Sequence, residues 1–365
     1  MRLALYCPVY GFYEKEKDRI GRNGDFYTSV SVGKLFGELL AFQFADWLLE
    51  CKSETRPVQI VEAGAHRGDL ARDILTWFRA HRPELFQRLE YIVLEPSAAR
   101  QKWQSATLAD FGDKVNWLSH ITHHATRFHG IVFANELLDA MPVCRFGWDA
   151  RRKSWFEWGI TLESGSLVWT NLECSRRRDE ADGAPVCQIP PRHVGGYLDS
   201  AIGPFATNEK LLAVLPDRFT FETSPDAEIW WQNAAQALEC GKLMTIDYGM
   251  TTDELISPER KNGTLRGYYR HHPTSDLLAN PGDQDLTAHV NFSALIAAGE
   301  ANGLNTETFQ TQAQFLTKIL LRAQKSDASE QWNAARVRQF QTLTHPEHLG
   351  HSFRVLVQTR GARPQ

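Results

Sequence analysis

The stretch VEAGAHRGDLARDIL, residues 61–75, sets a carboxylate, Glu62, two residues before a loop bounded by Gly64 and Gly68. It reads as a buried strand, a tight loop and an amphipathic helix. In open parallel sheets ligands gather at the carboxyl ends of the strands, so the loop's backbone N–H groups face a binding crevice. Glycines serve there because a Cβ would hold a ligand off the main chain and because positive φ costs them nothing. A glycine loop alone is a common feature; the acids around it carry more. Glu95 ends the next apolar run, YIVLE, and is placed to accept hydrogen bonds from both hydroxyls of a ribose. That suits a nicotinamide dinucleotide and S-adenosylmethionine equally. Glu62 discriminates, because a carboxylate beside the first loop repels a pyrophosphate and suits an ammonium and a sulfonium. It points to a methyl donor, unless Glu62 merely caps a neighbouring helix. His66 stands where a middle glycine is expected. It is tolerable if its φ is negative and its ring turns away from the donor. It could also lie over the donor's amino-acid portion, or be a surface imidazole without a task.

Five apolar runs must position these groups: VQIVEA (58–63), YIVLE (91–95), GIVFAN (130–135), KLMTID (242–247) and FRVLVQT (353–359). They are nearly continuous in apolarity, as strands covered on both faces are. DLARDILTWFRA places Leu70, Ile74, Leu75 and Phe78 on one stripe at helical spacing. SPDAEIWWQNAAQALECG predicts a helix with Ser224 as N-cap, Pro225 at its first position and Gly241 at its end. Strand–helix–strand alternation implies an α/β fold with a mostly parallel sheet. Residues 1–55 precede that rhythm and include the apolar helix KLFGELLAFQFADWLLE. Residues 143–222 read as a β-rich insertion with an exposed loop near 175–186.

Composition narrows the class. The chain has 365 residues, 42% hydrophobic and 23% charged, with net charge -4, which argues against a nucleic-acid footprint. Six separated cysteines form no C-x-x-C pair and read as reduced thiols. No apolar run reaches the roughly 20 residues of a membrane span. MRLALYCP is apolar too briefly for a signal peptide. The expectation is a cytoplasmic protein with neither membrane nor nucleic-acid partner. SHITHH (His120, His123, His124) lacks a carboxylate or cysteine at ligand spacing, so these and the paired His271 and His272 read as loop histidines and no metal is expected.

GRNGDFYTS followed by LFGE, then FANELLDAMPV, FETSPDAEIWW, LMTIDYG and DLTAHVNFSAL occur in this order. So do TQAQFLTKIL and LTHPEHLGHSFRVLVQTRG near the C-terminus. In that order they resemble the MidA family of class I S-adenosylmethionine-dependent methyltransferases, which includes a mitochondrial complex I assembly-factor arginine methyltransferase and bacterial relatives. The resemblance runs from about Ala4 to Gly361 and is weakest in 160–215. It implies a Rossmann-like class I methyltransferase sheet with an N-terminal helical cap, a β-rich insertion and a terminal antiparallel hairpin from 304–311 and 353–360. Residues 1–55 would close over the cofactor, 56–142 and 223–361 would form the core, and 143–222 would bind acceptor or partner. The family loop carries proline and glycine at the positions of Ala65 and His66. Asp69 replaces a small hydroxyl residue, and Val30-Ser31 replaces Pro-Glu.

The implied acceptor is an arginine of a partner protein. A guanidinium and a sulfonium about 4 Å apart repel by about 4 kcal/mol at an effective dielectric near 20, so carboxylates must draw the arginine in. ANELLDAMP supplies Glu136 as leading guanidinium ligand or base, Asn135 as a polar orienter, and Asp139 as second carboxylate or turn cap. GDFYTS would fold over the donor with Asp25, Thr28 and Ser29. Glu38 would meet the donor's ammonium or be a solvated helix charge. Asp247, Tyr248 and His289 are candidates for the acceptor side. Three alternatives stay open: a dinucleotide-dependent oxidoreductase, a non-catalytic assembly factor with a degenerate methyltransferase fold, and a small-molecule methyltransferase.

Overall fold

The structure, a computed structural model, describes residues 1–15, 28–51, 57–123, 127–172, 208–269, 272–325 and 332–361. Its main sheet runs β14 (Asn305–Thr311), β15 (Phe353–Arg360), β9 (Leu238–Met250), β4 (Phe128–Asn135), β1 (Val58–Ala63), β2 (Leu89–Leu94) and β3 (Val115–Leu118), and β13 (Val290–Asn291) pairs with β9 off this path. The strands β1, β2, β3, β4 and β9 are parallel. β14 and β15 form the expected hairpin, with β15 antiparallel to β9. Every residue of β1 is buried, which follows from cover on both faces.

One face carries α1 (Leu35–Glu50), α2 (Asp69–His81), α6 (Gln312–Ala323) and α7 (Ala334–Thr344). Their apolar residues join Ile60, Tyr91, Ile131, Phe133 and Val355 in one core. α1 is buried along nearly its whole length, as an all-round apolar helix must be. The opposite face carries α4 (Pro225–Ala237) and α5 (Phe292–Ala301), packed on Val61, Ile92, Val132 and Leu243. α3 (Ala98–Thr107) follows β2. Ser224 caps α4 as expected, its hydroxyl accepting from the Ala227 N–H. The helix ends at Ala237, however, and Gly241 lies inside β9 opposite Gly130 of β4. Both glycines have positive φ, 126° and 142°. A Cβ on Gly241 would lie 1.8 Å from the Gly130 carbonyl oxygen, so the glycine permits a close strand approach and does not terminate a helix.

The β-rich insertion is a separate antiparallel sheet of order β7-β6-β5-β8, from β5 (Cys144–Asp149), β6 (Ser154–Glu163), β7 (Ser166–Leu172) and β8 (Thr220–Thr223). Phe146, Trp148, Phe219 and Phe221 form its core. Buried Glu222 pairs with Arg145 of the same sheet at 3.1 Å and ties the sheet to the rest of the chain by accepting from the Thr264 N–H. A small sheet of β10 (Arg266–Tyr269), β11 (His272–Thr274) and β12 (Asp285–Thr287) follows, then β13 (Val290–Asn291). The loop 175–186 and the side chains of His123, His124 and His271 lie outside the described residues. Among the described residues no helix is long and apolar enough to cross a membrane, and no group of three or more His, Cys, Asp or Glu side chains is arranged to hold a metal.

Candidate active site

A cavity of about 720 Å³ opens at the carboxyl ends of β1 and β4. Its wall includes Glu62, Gly64, His66 and Asp69 from the first strand–helix junction, Asn135 at the end of β4 with Glu136 directly after it, and Thr28 and Lys34 from the N-terminal segment.

The junction turns through Gly64 (φ 76°), His66 (φ 46°) and Gly68 (φ 86°). His66 therefore adopts the left-handed conformation a glycine would take, not the negative φ expected for a side chain there. The loop must fold back sharply enough for the Gly68 N–H to reach the Ala65 carbonyl at 2.7 Å, and Gln104 Nε2 donates to the His66 carbonyl. Holding an L-residue in this region costs about 1–2 kcal/mol. Gly68 is the N-cap residue of α2, and its neighbours Arg67 and Asp69 line the cavity. Asp69 is paired with Arg72 at 2.6 Å, so its charge is largely offset within the wall.

Glu62 caps no helix. It is 2% exposed and accepts from the Tyr91 hydroxyl at 2.6 Å. Burial pushes its carboxyl up to about 7 against the opposing hydrogen bond from Tyr91. Glu95 does not line the cavity. Its oxygens accept from the Ser97 N–H and from Gln104 Nε2, and its side chain is 4% exposed. These local donors, unreadable from a strand pattern, fix the orientation of its carboxylate at the end of β2.

At the end of β4, Glu136 is a second non-glycine residue with positive φ, 53°. Its N–H donates to the Ile246 carbonyl of β9, and its Oε1 accepts from the Ser29 N–H at 2.9 Å and from Asn135 Nδ2 at 3.2 Å. Burial, reinforced by the charge of Asp139, pushes its carboxyl up to about 8, while the Ser29 and Asn135 donors oppose the rise. Asn135 Oδ1 is buried without a hydrogen-bond partner among the described residues.

The remaining sequence candidates behave differently. Asp247 is 0% exposed; its Oδ2 accepts from the N–H groups of Leu137, Leu138 and Asp139, and its Oδ1 from that of Tyr248. It pins the loop after Glu136 and presents no oxygen to the cavity. Burial and the charges of Asp247 and Asp285 hold the Asp139 carboxyl well above the usual range. Tyr248 packs its ring on Phe353 with centroids 3.9 Å apart. His289 lines a separate small hollow with Leu138 and Glu228, and burial beside Arg266 and Arg260 pushes it down to about 4, so it is neutral. Glu38 pairs with Arg336 at 2.7 Å and Lys34 at 3.3 Å, outside the cavity. The Ser29 side chain is fully buried, and only its backbone faces Glu136. Asp25 lies outside the described residues.

Among the wall residues not foreseen are Tyr6, Tyr13 and Arg100. Tyr6 donates to the Ala140 carbonyl at 2.9 Å and stacks on Tyr13 with centroids 5.5 Å apart. The Arg100 guanidinium lies 5.4 Å from the Tyr13 ring centroid and donates to the Tyr13 carbonyl. The aromatic run around YGFY was their one visible signal.

A family model of S-adenosyl-L-methionine-dependent methyltransferases matches residues 39–310. The chain belongs to this methyltransferase family. The human mitochondrial protein arginine methyltransferase NDUFAF7 is 26% identical, over 97% of this chain and 77% of its own. The Drosophila melanogaster homolog is 27% identical, over 99% and 80%. A Burkholderia thailandensis protein crystallised with S-adenosyl-homocysteine superposes with a TM-score of 0.77 at 27% identity, covering 100% of this chain and 87% of that one. A native crystal structure from the same organism gives 0.74 at 28%, covering 100% and 86%.

The methyltransferase's own residues fit the donor. A buried carboxyl, Glu62, and a half-buried one, Glu136, line the open cavity, and Asn135 Oδ1 is an unmet acceptor in its wall. A cation-bearing molecule supplies what all three lack. Glu62 and the Gly64–His66 backbone would hold the donor; an electrophilic methyl group on a sulfonium is the chemistry it brings.

Proposed function

We propose that this methyltransferase transfers a methyl group to an arginine of a partner protein. The observation that carries the reading is Glu136: a strained residue whose carboxyl is aimed by Ser29 and Asn135 into the cavity that Glu62 shares. Strained backbone at such a position is retained where function requires the geometry. The names of the relatives support the acceptor class.

Glu62 would face the donor's positive charge at the β1 side, and Glu136 the guanidinium at the β4 side. Glu136 alone is held near neutrality by burial; a guanidinium beside it favours the ionised form. The carboxylate then offsets the roughly 4 kcal/mol repulsion between the two cations and accepts the proton that the guanidinium nitrogen must lose. Asn135 Oδ1 accepts a second guanidinium N–H, fixing the plane. Asp247 keeps the loop rigid by accepting from its backbone N–H groups. Tyr6, Tyr13 and Thr28 close the N-terminal segment over the cavity and exclude water, which strengthens each of these interactions.

The test is Glu136→Gln assayed with an arginine-bearing acceptor. Transfer should fall by about a thousandfold while S-adenosyl-homocysteine still binds. Undiminished transfer would overturn the acceptor assignment.

A further inference from the structure

Of the two donors that aim Glu136, Asn135 is fixed as the last residue of β4, directly before it. The other, the Ser29 N–H, comes from a different part of the chain. Ser29 opens a single helical turn, Ser29–Val32, capped by Thr28. That turn is tied to the C-terminal helices. Ser29 Oγ donates to Gln312 Oε1 at 3.1 Å, and Gln312 Nε2 donates to the Leu343 carbonyl at 2.9 Å. Ser29 and Gln312 are both 0% exposed. Just beyond the turn, the Leu35 N–H donates to Gln339 Oε1 at 3.2 Å and Glu38 pairs with Arg336. Three side chains of α6 and α7 thus hold the segment that delivers one N–H to the acceptor carboxyl.

We propose that Gln312 is a positioning residue for methyl transfer: by fixing Ser29 it aims the Ser29 N–H at Glu136, coupling the C-terminal helices to the acceptor side of the cavity. The inference rests on the reading of Glu136 given above. Gln312 uses its amide oxygen towards the turn and its amide nitrogen towards α7, so no other side chain of its size reproduces both bonds. A buried network of this kind specifies one arrangement only while every member is satisfied.

The titratable groups facing Glu136 are Asp139 on its own loop and Asp247 and Tyr248 on β9. Ser29 and Gln312 carry no charge, so replacing them changes Glu136 through hydrogen bonding alone. The Ser29 N–H favours the ionised carboxyl. Its loss moves the ionisation of Glu136 to higher pH.

The experiment compares Gln312→Met, Ser29→Ala and Ser29→Pro in the full chain. Proline is accepted at the first position of a helical turn, and Thr28, at φ -102° and ψ 160°, has the extended backbone that precedes proline comfortably. Ser29→Pro therefore deletes the N–H while keeping the turn, and it carries the test should Gln312→Met not fold. Titration with S-adenosyl-homocysteine checks donor binding, expected within about threefold of the parent.

The pH dependence of kcat should move alkaline by about one pH unit in Gln312→Met and Ser29→Pro, with a smaller move in Ser29→Ala. On the acid side this is about a tenfold loss, recovering towards the parent rate at high pH. An unmoved midpoint, with or without a uniform drop in kcat, would overturn the positioning role. Survival of full transfer in Glu136→Gln would instead overturn the reading on which it rests.

Discussion

Replacing Glu136 by Gln is expected to stabilise the fold while lowering turnover about a thousandfold, and the size of the gain depends on pH. The Glu136 carboxyl is raised from 4.5 to about 8, chiefly by burial. The folded protein therefore binds this proton more tightly than the unfolded chain does. Its contribution is fully favourable below pH 4.5 and is lost progressively as pH rises to about 8. At pH 7 the accumulated cost is about 3 kcal/mol, and at pH 5 about 1 kcal/mol. Solvent reaching a half-buried side chain trims the neutral-pH figure to about 2 kcal/mol. For a chain of this length that is worth about 2–3 °C in Tm. Glutamine keeps an oxygen for the Ser29 and Asn135 donors but never ionises. Melting curves of both proteins at pH 5 and pH 8, beside methyl-transfer assays, give the comparison. Glu136→Gln should melt higher at pH 8, and the gap should shrink at pH 5. An equal gap at both values, or a variant that melts lower at pH 8, would refute the account of a carboxyl strained by burial.

Other outcomes follow from single features. His66→Gly should relieve the positive φ at His66 and raise stability by under about 1 kcal/mol, the relief being partly offset by the unfolded-state entropy of glycine; calorimetry should show undiminished S-adenosyl-homocysteine affinity. Gly241→Ala should be destabilised by more than about 3 kcal/mol in denaturant melts, since the new Cβ meets the Gly130 carbonyl at 1.8 Å. Tyr91→Phe removes the hydroxyl that favours the ionised form of Glu62. The midpoint for donor binding should then move to higher pH, with affinity reduced at pH 7 and restored near pH 9.

How much of this was legible depended on the range of the forces involved. The strands and the face pattern of α2 were readable because burial imposes a period on neighbouring residues. Ser224 and Pro225 were readable because capping is local. Gly241 was misread because its reason is a carbonyl on β4, more than a hundred residues away. The same applies to Glu38, whose partner Arg336 lies on α7, and to Asp247, whose partners are backbone N–H groups of a loop after another strand. Residue types announced Glu62 and Glu136 as chemical groups. They did not announce that Glu95 would be engaged by Gln104, or that Tyr6 and Tyr13 would join the wall. His66 shows a subtler limit: the loop imposed the backbone a glycine prefers on a residue that resists it.

The central claim is a division of labour within one cavity, with Glu62 serving the methyl donor and Glu136 the acceptor. Calorimetric titration of S-adenosyl-homocysteine into the parent, Glu62→Gln and Glu136→Gln tests it most directly. The account expects tight binding to the parent and to Glu136→Gln, and binding weakened at least tenfold in Glu62→Gln. Equal weakening in both variants, or undiminished binding to Glu62→Gln, would contradict it.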